Sequence, residues 1–371
     1  MDSIINQATS TSNLSFKKDI QRTSSVDEEL EKLLAVQKSK IKVIGAGGAG
    51  NNTINRMTEI GISGTETIGI NTDAQDLLYT NADIKILIGK EATGGLGAGS
   101  VPKVGEEAAR ESESDLKKAL AGADMVFITC GLGGGTGTGS APVVAEIAKK
   151  QNCLTVGVVT VPFTMEGQRR YENAIIGLEK MENTVDTLIV IPNEKLLELA
   201  PDLPLHTAFK IADEILTNAV KGIAELVTKA GLVNLDFADI KTVMSNGGVA
   251  MIGVGESDTA NRAVEAVEKA ISNPILDVDI SGANGALINV AGGSDMTLDE
   301  ARKVVETISS KLDEDARIIW GASISEDLEN TIRTMLIVTG VSSPQIFGPR
   351  RTTSTRRKTE IENELGIEFV D

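Results

Sequence analysis

The stretch Gly131-Leu132-Gly133-Gly134-Gly135-Thr136-Gly137-Thr138-Gly139-Ser140 restricts most sharply what this chain can become. It joins an apolar, strand-like run, Met125–Cys130, to helix-like sequence over Ala141–Lys149. A tight turn needs one or two glycines. This many, with two threonines, form a nest of backbone N–H groups and hydroxyls suited to an anion. A second run, Gly45 to Gly50, fits G-x-G-x-x-G and lies between a strand-like run at Ile41–Ile44 and a helix from about Asn51. Glycine there lets the backbone approach a phosphate at a helix start. A third run, Gly94 to Ser100, has the same character. Three such loops suit a triphosphate better than one pyrophosphate contact. No G-x-x-x-x-G-K-[ST] occurs, so this is not a Walker loop.

These loops punctuate a regular alternation. Strand signals at Thr67–Ile70, Ile84–Ile88, Leu154–Val161 and Thr187–Ile191 join the two already named, with helical sequence between them, notably Pro102–Leu120. Alternating strands and helices predict an α/β fold with a mostly parallel, Rossmann-like sheet and helices on both faces. From Leu205 to Ala230, Ala208, Ile211, Ala212, Ile215, Ala219, Ile223, Leu226 and Val227 recur at helical spacing, predicting one long central helix. Beyond it, strands at Val249–Val254, Ala286–Val290, Arg317–Trp320 and Thr334–Val338 predict a smaller α+β domain with a four-stranded sheet. Its helices fall near Thr259–Ser272 and Leu298–Lys311, the latter opened by a Thr297/Glu300 capping box. The expected organisation is an N-terminal extension over 1–38, partly disordered with a short helix at Asp27–Lys38. A nucleotide-binding domain over 39–204, a central helix over 205–231, an α+β domain over 232–342 and a flexible tail over 343–371 follow.

Composition excludes several functions. A net charge of -17 repels phosphate backbones, so nucleic acid is not expected as a partner. No apolar run is long enough to span a bilayer and no signal peptide is seen, so direct membrane insertion is not expected and the cytoplasm is. One histidine, His206, and two separated cysteines, Cys130 and Cys153, provide neither a zinc cluster nor a Cys-His nucleophile.

The loop Gly133–Gly139 resembles the signature loop of the tubulin/FtsZ family of GTPases. Two further stretches resemble its prokaryotic cell-division branch. One is Pro162-Phe163-Thr164-Met165-Glu166-Gly167 with Arg169 and Arg170, the other Gly231-Leu232-Val233-Asn234-Leu235-Asp236-Phe237-Ala238-Asp239. Asn71-Thr72-Asp73-Ala74-Gln75 and Ile191-Pro192-Asn193-Glu194-Lys195-Leu196 also fit, and the match runs in order from about 40 to 342. The resemblance implies GTP/GDP binding with Mg²⁺ on the phosphates, and head-to-tail assembly into filaments of a midcell division ring. It implies that Gly47, Gly48 and Gly133, Gly134, Gly135, Thr136, Gly137, Thr138 and Gly139 hold the phosphates, with Asn51 and Asn71 beside them. Glu166 and Arg170 would contact ribose and phosphates, and Asn193 and Asp213 would face guanine. A carboxylate suits guanine, which offers two adjacent donors.

The same resemblance makes Asn234, Asp236 and Asp239 catalytic, completing the site of a neighbouring subunit. Read from the residues alone, Asp236 and Asp239 are an N-cap acid and a first-turn acid at a helix start. An NAD(P)-dependent oxidoreductase is the alternative suggested by Gly45–Gly50. Against it, the second strand ends in Asn71, where a ribose-binding acid is wanted. A GTP-binding relative that does not hydrolyse is a third reading. The end of the chain, Leu365–Asp371, differs from the common bacterial form and is expected to meet a membrane-anchor protein, or to have no fixed function.

Overall fold

The computed structural model describes residues 39–341 except 63, 196–204, 229–235, 246, 274–279, 281–282 and 314. The predicted N-terminal helix at Asp27–Lys38, the tail over 343–371 and Asn234 lie outside the described residues.

The apolar runs become strands β1 (Ile41–Ala46), β2 (Thr65–Asn71), β3 (Ile84–Leu87), β4 (Met125–Gly131), β5 (Leu154–Val161) and β6 (Thr187–Pro192). They pair in parallel in the order β3-β2-β1-β4-β5-β6. Every residue of β5 is buried, as expected for a strand covered on both faces. The helices are α1 (Gly47–Ile60), α2 (Ala74–Tyr79), α3 (Lys90–Thr93), α4 (Pro102–Glu111), α5 (Glu113–Leu120), α6 (Thr136–Lys150) and α7 (Gln168–Thr184). They are followed by α8 (Leu205–Thr228), α9 (Phe237–Met244), α10 (Arg262–Ile271) and α11 (Leu298–Ser309).

Alternation along the strands sends side chains to two cores. Val43, Phe127, Val156 and Ile189 meet Met57 of α1 and Leu216, Val220 and Ile223 of α8 on one face. Ile44, Ile68, Ile128 and Val190 meet Val144 and Ile147 of α6 and Leu178 of α7 on the other. The 24 residues of α8 span about 36 Å. Of the predicted face, Ala212, Ala219, Ile223 and Leu226 are buried and Ile211, Ile215 and Val227 are partly buried against the same core, and the buried stripe extends to Leu216 and Val220.

The predicted second sheet does not stand apart. β7 (Gly248–Ser257) pairs in parallel with β6 over Thr187↔Gly248 to Ile189↔Ala250, making one ten-stranded sheet. β10 (Ile332–Thr339) runs antiparallel between β7 and β8 (Gly285–Gly292), and β9 (Arg317–Ile324) forms the edge. The Thr297 capping box is present: Glu300 N–H donates to the Thr297 hydroxyl at 3.2 Å, and the Glu300 carboxylate accepts from Thr297 N–H at 2.8 Å.

Local chemistry shifts three predicted helix limits. The run Pro102–Leu120 breaks at Ser112, whose hydroxyl accepts the N–H of Gly89 at 3.1 Å. α1 begins at Gly47 and α6 at Thr136, both earlier than expected, so Gly47, Gly48, Gly50, Gly137 and Gly139 are first-turn helical residues, while Gly133, Gly134 and Gly135 remain in the loop. Pro142, which would suit a first turn, lies inside α6.

Candidate nucleotide site

α1 and α6 both start at the C-terminal edge of the parallel strands, where α/β sheets bind ligands. Neither helix has a side-chain cap or an acidic residue in its first turn. Their leading N–H groups and positive dipole ends therefore meet no anion from their own helix and face a cavity of about 320 Å³. Gly47, Gly48 and Ala49 line it from α1, and Gly134, Gly135, Thr136 and Gly137 line it from the start of α6.

The glycines divide by what a side chain would meet. Gly47 has φ +71°, and a Cβ on it would lie 2.9 Å from the Gly137 nitrogen, so the two helix starts touch. A Cβ on Gly134 would meet nothing within 4 Å, which leaves open space above it for a ligand. By contrast, a Cβ on Gly139 would fall 2.0 Å from the Pro102 carbonyl oxygen, so Gly139 serves the packing of α6 on α4. Gly133, at φ +102°, donates its N–H to the Thr138 hydroxyl at 2.9 Å, and its carbonyl accepts from Asn173 at 3.3 Å. Gly133, Thr138 and Gly139 thus brace the loop from behind the cavity wall. Asn51 and Asn71 also sit behind it, both donating to Asp76, at 3.4 Å and 2.5 Å. The third glycine run contributes Ser100 alone to the lining, and Ala98 backs Gly135.

Glu166 and Arg170 form an ion pair on the cavity wall, and Phe163 N–H donates to the Glu166 carboxylate at 2.9 Å. Asn193 and Asp213 also face the cavity. Asn193 is 5% exposed, and its side-chain oxygen has no partner among the described residues. A buried acceptor left unpaired is costly, so a ligand donor there would be favoured. Burial pushes the Asp213 carboxyl up to about 6, against the Thr53 hydroxyl and Arg56, which pull it down. The cavity therefore presents backbone donors, one ion-paired cation and two further acceptors, Asn193 and Asp213. Thr160, Pro162 and Leu216 line it as well. Thr160 was detectable as a strand-end residue at the C-terminal edge; Leu216, from a helix remote in sequence, carries no local signal.

Asp236 and Asp239 stand elsewhere. Asp236 caps α9, accepting Ala238 N–H at 3.2 Å, and Asp239 is in its first turn; both are exposed. The end of α9 is tied to the start of β6, through the Thr187 hydroxyl donating to the Met244 carbonyl. The cavity lies at the opposite end of β6, at Asn193. The two acids do not line the cavity of their own chain. Cys130 is buried and its thiol pushed up to about 12, and Cys153 donates to the Ala123 carbonyl at 3.1 Å, so both are inert.

Two open helix starts on a parallel sheet, with polar acceptors across a cavity, define an α/β nucleotide-binding protein. Residues 40–201 match the model of the tubulin/FtsZ family GTPase domain, and residues 248–342 that of the FtsZ family C-terminal domain. The chain is 62% identical over 326 residues to cell division protein FtsZ 1 of Thermococcus kodakarensis, covering 88% of this chain and 87% of the relative. It is 56% identical over 372 residues to cell division protein FtsZ 1 of Archaeoglobus fulgidus, covering 100% and 99%. A solved FtsZ dimer of M. jannaschii, empty of ligand, superposes with a TM-score of 0.82 at 63% identity, over 85% of this chain and 92% of that one. The chain belongs to the tubulin/FtsZ family and is a cell-division GTPase that binds GTP and GDP. The resemblance drawn from its glycine loops is borne out, and the oxidoreductase alternative is set aside.

Proposed function

We propose that this GTPase hydrolyses GTP only where two copies meet head to tail in a filament. The triphosphate lies over the first turns of α1 and α6, in the space above Gly134, and the base reaches Asn193 and Asp213. Glu166 and Arg170 contact the ribose and phosphates. Asn234, Asp236 and Asp239 of the next copy close the site, where the carboxylates orient and polarise the attacking water. One observation carries this reading: the candidate acids are exposed and do not line the cavity, and they sit on α9, whose end is tied to the start of β6 while the cavity lies at that strand's other end. A rigid chain cannot bring them to its own nucleotide, whereas a second copy stacked in the same orientation can.

Mg²⁺ fits as an ion held mainly by phosphate oxygens and water. Among the described residues no group of three or more His, Cys, Asp or Glu could cage a metal, and Asp76, near Gly48, is already engaged by Asn51 and Asn71. When bound, the ion neutralises charge on the phosphates. The chain itself supplies N–H donors, orientation and the neighbour's carboxylates.

Among the described residues no helix is long and apolar enough to cross a membrane. We place the filament in the cytoplasm at the midcell division site, held to the membrane by an anchor protein on the tail over 343–371. The test of the shared site is the GTP hydrolysis rate against protein concentration with Mg²⁺. The specific rate should rise steeply above a threshold. A rate per molecule independent of concentration would mean that one chain suffices.

A further inference from the structure

Thr53 belongs to α1, one turn past the residues that face the cavity, and is fully buried. Its hydroxyl lies 3.3 Å from Oδ1 of Asp213 on α8 and 3.1 Å from the carbonyl oxygen of Ala49. A hydroxyl has one proton to donate and two lone pairs. When Asp213 is ionised, the Thr53 proton points to the carboxylate. When Asp213 is protonated, the acid donates to Thr53 Oγ, and the hydroxyl proton turns to Ala49. One proton position thus links the acceptor at the base end to Ala49, which lines the cavity beside Gly47 and Gly48.

We infer that Thr53 is a positioning and specificity-determining residue for the base: its hydroxyl holds the Asp213 carboxylate ionised and fixed in orientation, so that both oxygens meet the two adjacent donors of guanine. This rests on the reading of Asp213 as the guanine partner. Oδ1 can accept from Thr53 and from the base together, because a carboxylate oxygen has two acceptor sites. Thr53 itself does not line the cavity and acts through Asp213.

The other charged groups around Asp213 leave this task open. On α1, Arg56 is ion-paired to Glu214 at 2.7 Å and to Glu59 at 3.0 Å, so most of its charge is matched. Lys210, on α8, borders the adjoining surface pocket with Asp213, Arg56, Glu59 and Glu214. Across the cavity, Glu166 and Arg170 pair with each other. Among these neighbours it is the Thr53 hydroxyl that hydrogen-bonds the Asp213 carboxylate directly. Burial drives Asp213 toward its neutral form, which offers guanine one acceptor oxygen and one misplaced proton.

The experiment measures GDP and inosine diphosphate affinity of the full chain between pH 5.5 and 8.5, for the parent, Thr53→Val, Thr53→Ser and Asp213→Asn. Inosine lacks the 2-amino donor. Thr53→Val should bind GDP about tenfold more weakly than the parent at pH 7, the loss of a hydrogen bond to a charged group. It should recover to within about twofold at pH 8.5, because the acidic limb has moved to higher pH. Thr53→Ser should follow the parent. Asp213→Asn should lose the preference for GDP over inosine diphosphate at every pH. If Thr53→Val weakens binding equally at all pH values, or not at all, while Asp213→Asn loses discrimination, the Thr53 inference is overturned and the role of Asp213 survives. If Asp213→Asn keeps the parent's discrimination, the reading beneath it is wrong. Thermal melts of each variant identify a folding defect, and where Thr53→Val does not fold, Thr53→Ala is read by the same pH profile.

Discussion

Three helix starts in this molecule have been treated in opposite ways. α1 and α6 open with glycine or with threonine among glycines, carry no side-chain cap and have no acid in the first turn. α9 opens with Asp236 as a bonded cap and Asp239 in its first turn. The isolated helix physics is the same in each case: free N–H groups and a positive dipole end attract negative charge. At α9 the chain supplies that charge itself. At α1 and α6 it withholds it, leaving the demand to be met by a ligand. An uncapped helix start forgoes about 1 kcal/mol per cap. Two of them facing one cavity are a sign of function, whereas a capped start is by itself a sign of stability only.

The sharpest way to break this comparison is Asp239→Ala. If α9 merely folds well, hydrolysis should survive. If its acids complete a neighbour's site, the GTP hydrolysis rate should fall about 100-fold or more while GTP affinity stays within twofold. Mixing Asp239→Ala with a variant unable to bind GTP should restore activity, because each then contributes one intact half.

Next in size is the contrast between two glycines of one loop. Gly139→Ala should cost about 2–3 kcal/mol in denaturant melts, since its methyl would meet the Pro102 carbonyl oxygen at 2.0 Å. Gly134→Ala should leave the melt nearly unchanged and weaken GTP binding at least tenfold, because its methyl has open space that the phosphates need. If both behave alike, the division between packing and ligand glycines is wrong.

Asp213 extends the comparison to pH. Its folded carboxyl titrates at about 6, above the ordinary 3.8 of the unfolded chain. The unfolded state therefore releases its proton first, so ionisation of Asp213 costs stability as pH rises from about 4 through 6. Without ligand, Asp213→Asn should be more stable than the parent by up to about 3 kcal/mol at pH 7, and the difference should shrink toward pH 4. A variant less stable at pH 7 would mean that the carboxylate is held by partners, and not strained by burial.

The smallest change in stability is expected at Asp236. Asparagine caps a helix about as well as aspartate, so Asp236→Asn should shift unfolding by about 0.5 kcal/mol or less. A large drop in hydrolysis at unchanged stability would separate a chemical carboxylate from a structural one. Unchanged hydrolysis would return Asp236 to the role of a cap.

Features decided within a few residues were legible in the sequence. The strand runs, the alternation that makes a parallel sheet, the Thr297–Glu300 cap and the anion-seeking glycine loops all follow from local propensity and periodicity. The family was legible too, because its motifs occur in order. Features that depend on what lies opposite were decided by the tertiary structure. Gly134 and Gly139 are the same residue in the same loop, yet one faces open space and the other a carbonyl, because α4 packs against only one of them. The four C-terminal strands read as a sheet of their own until β7 is seen beside β6. Nothing in the residues next to Asp213 marks it as desolvated; that follows only when α8 packs against α1 and sets it beside Thr53. Desolvation, close approach and hydrogen bonding across 160 residues of chain have no signature in a local window. They arise only when distant segments exclude water from the same few ångströms.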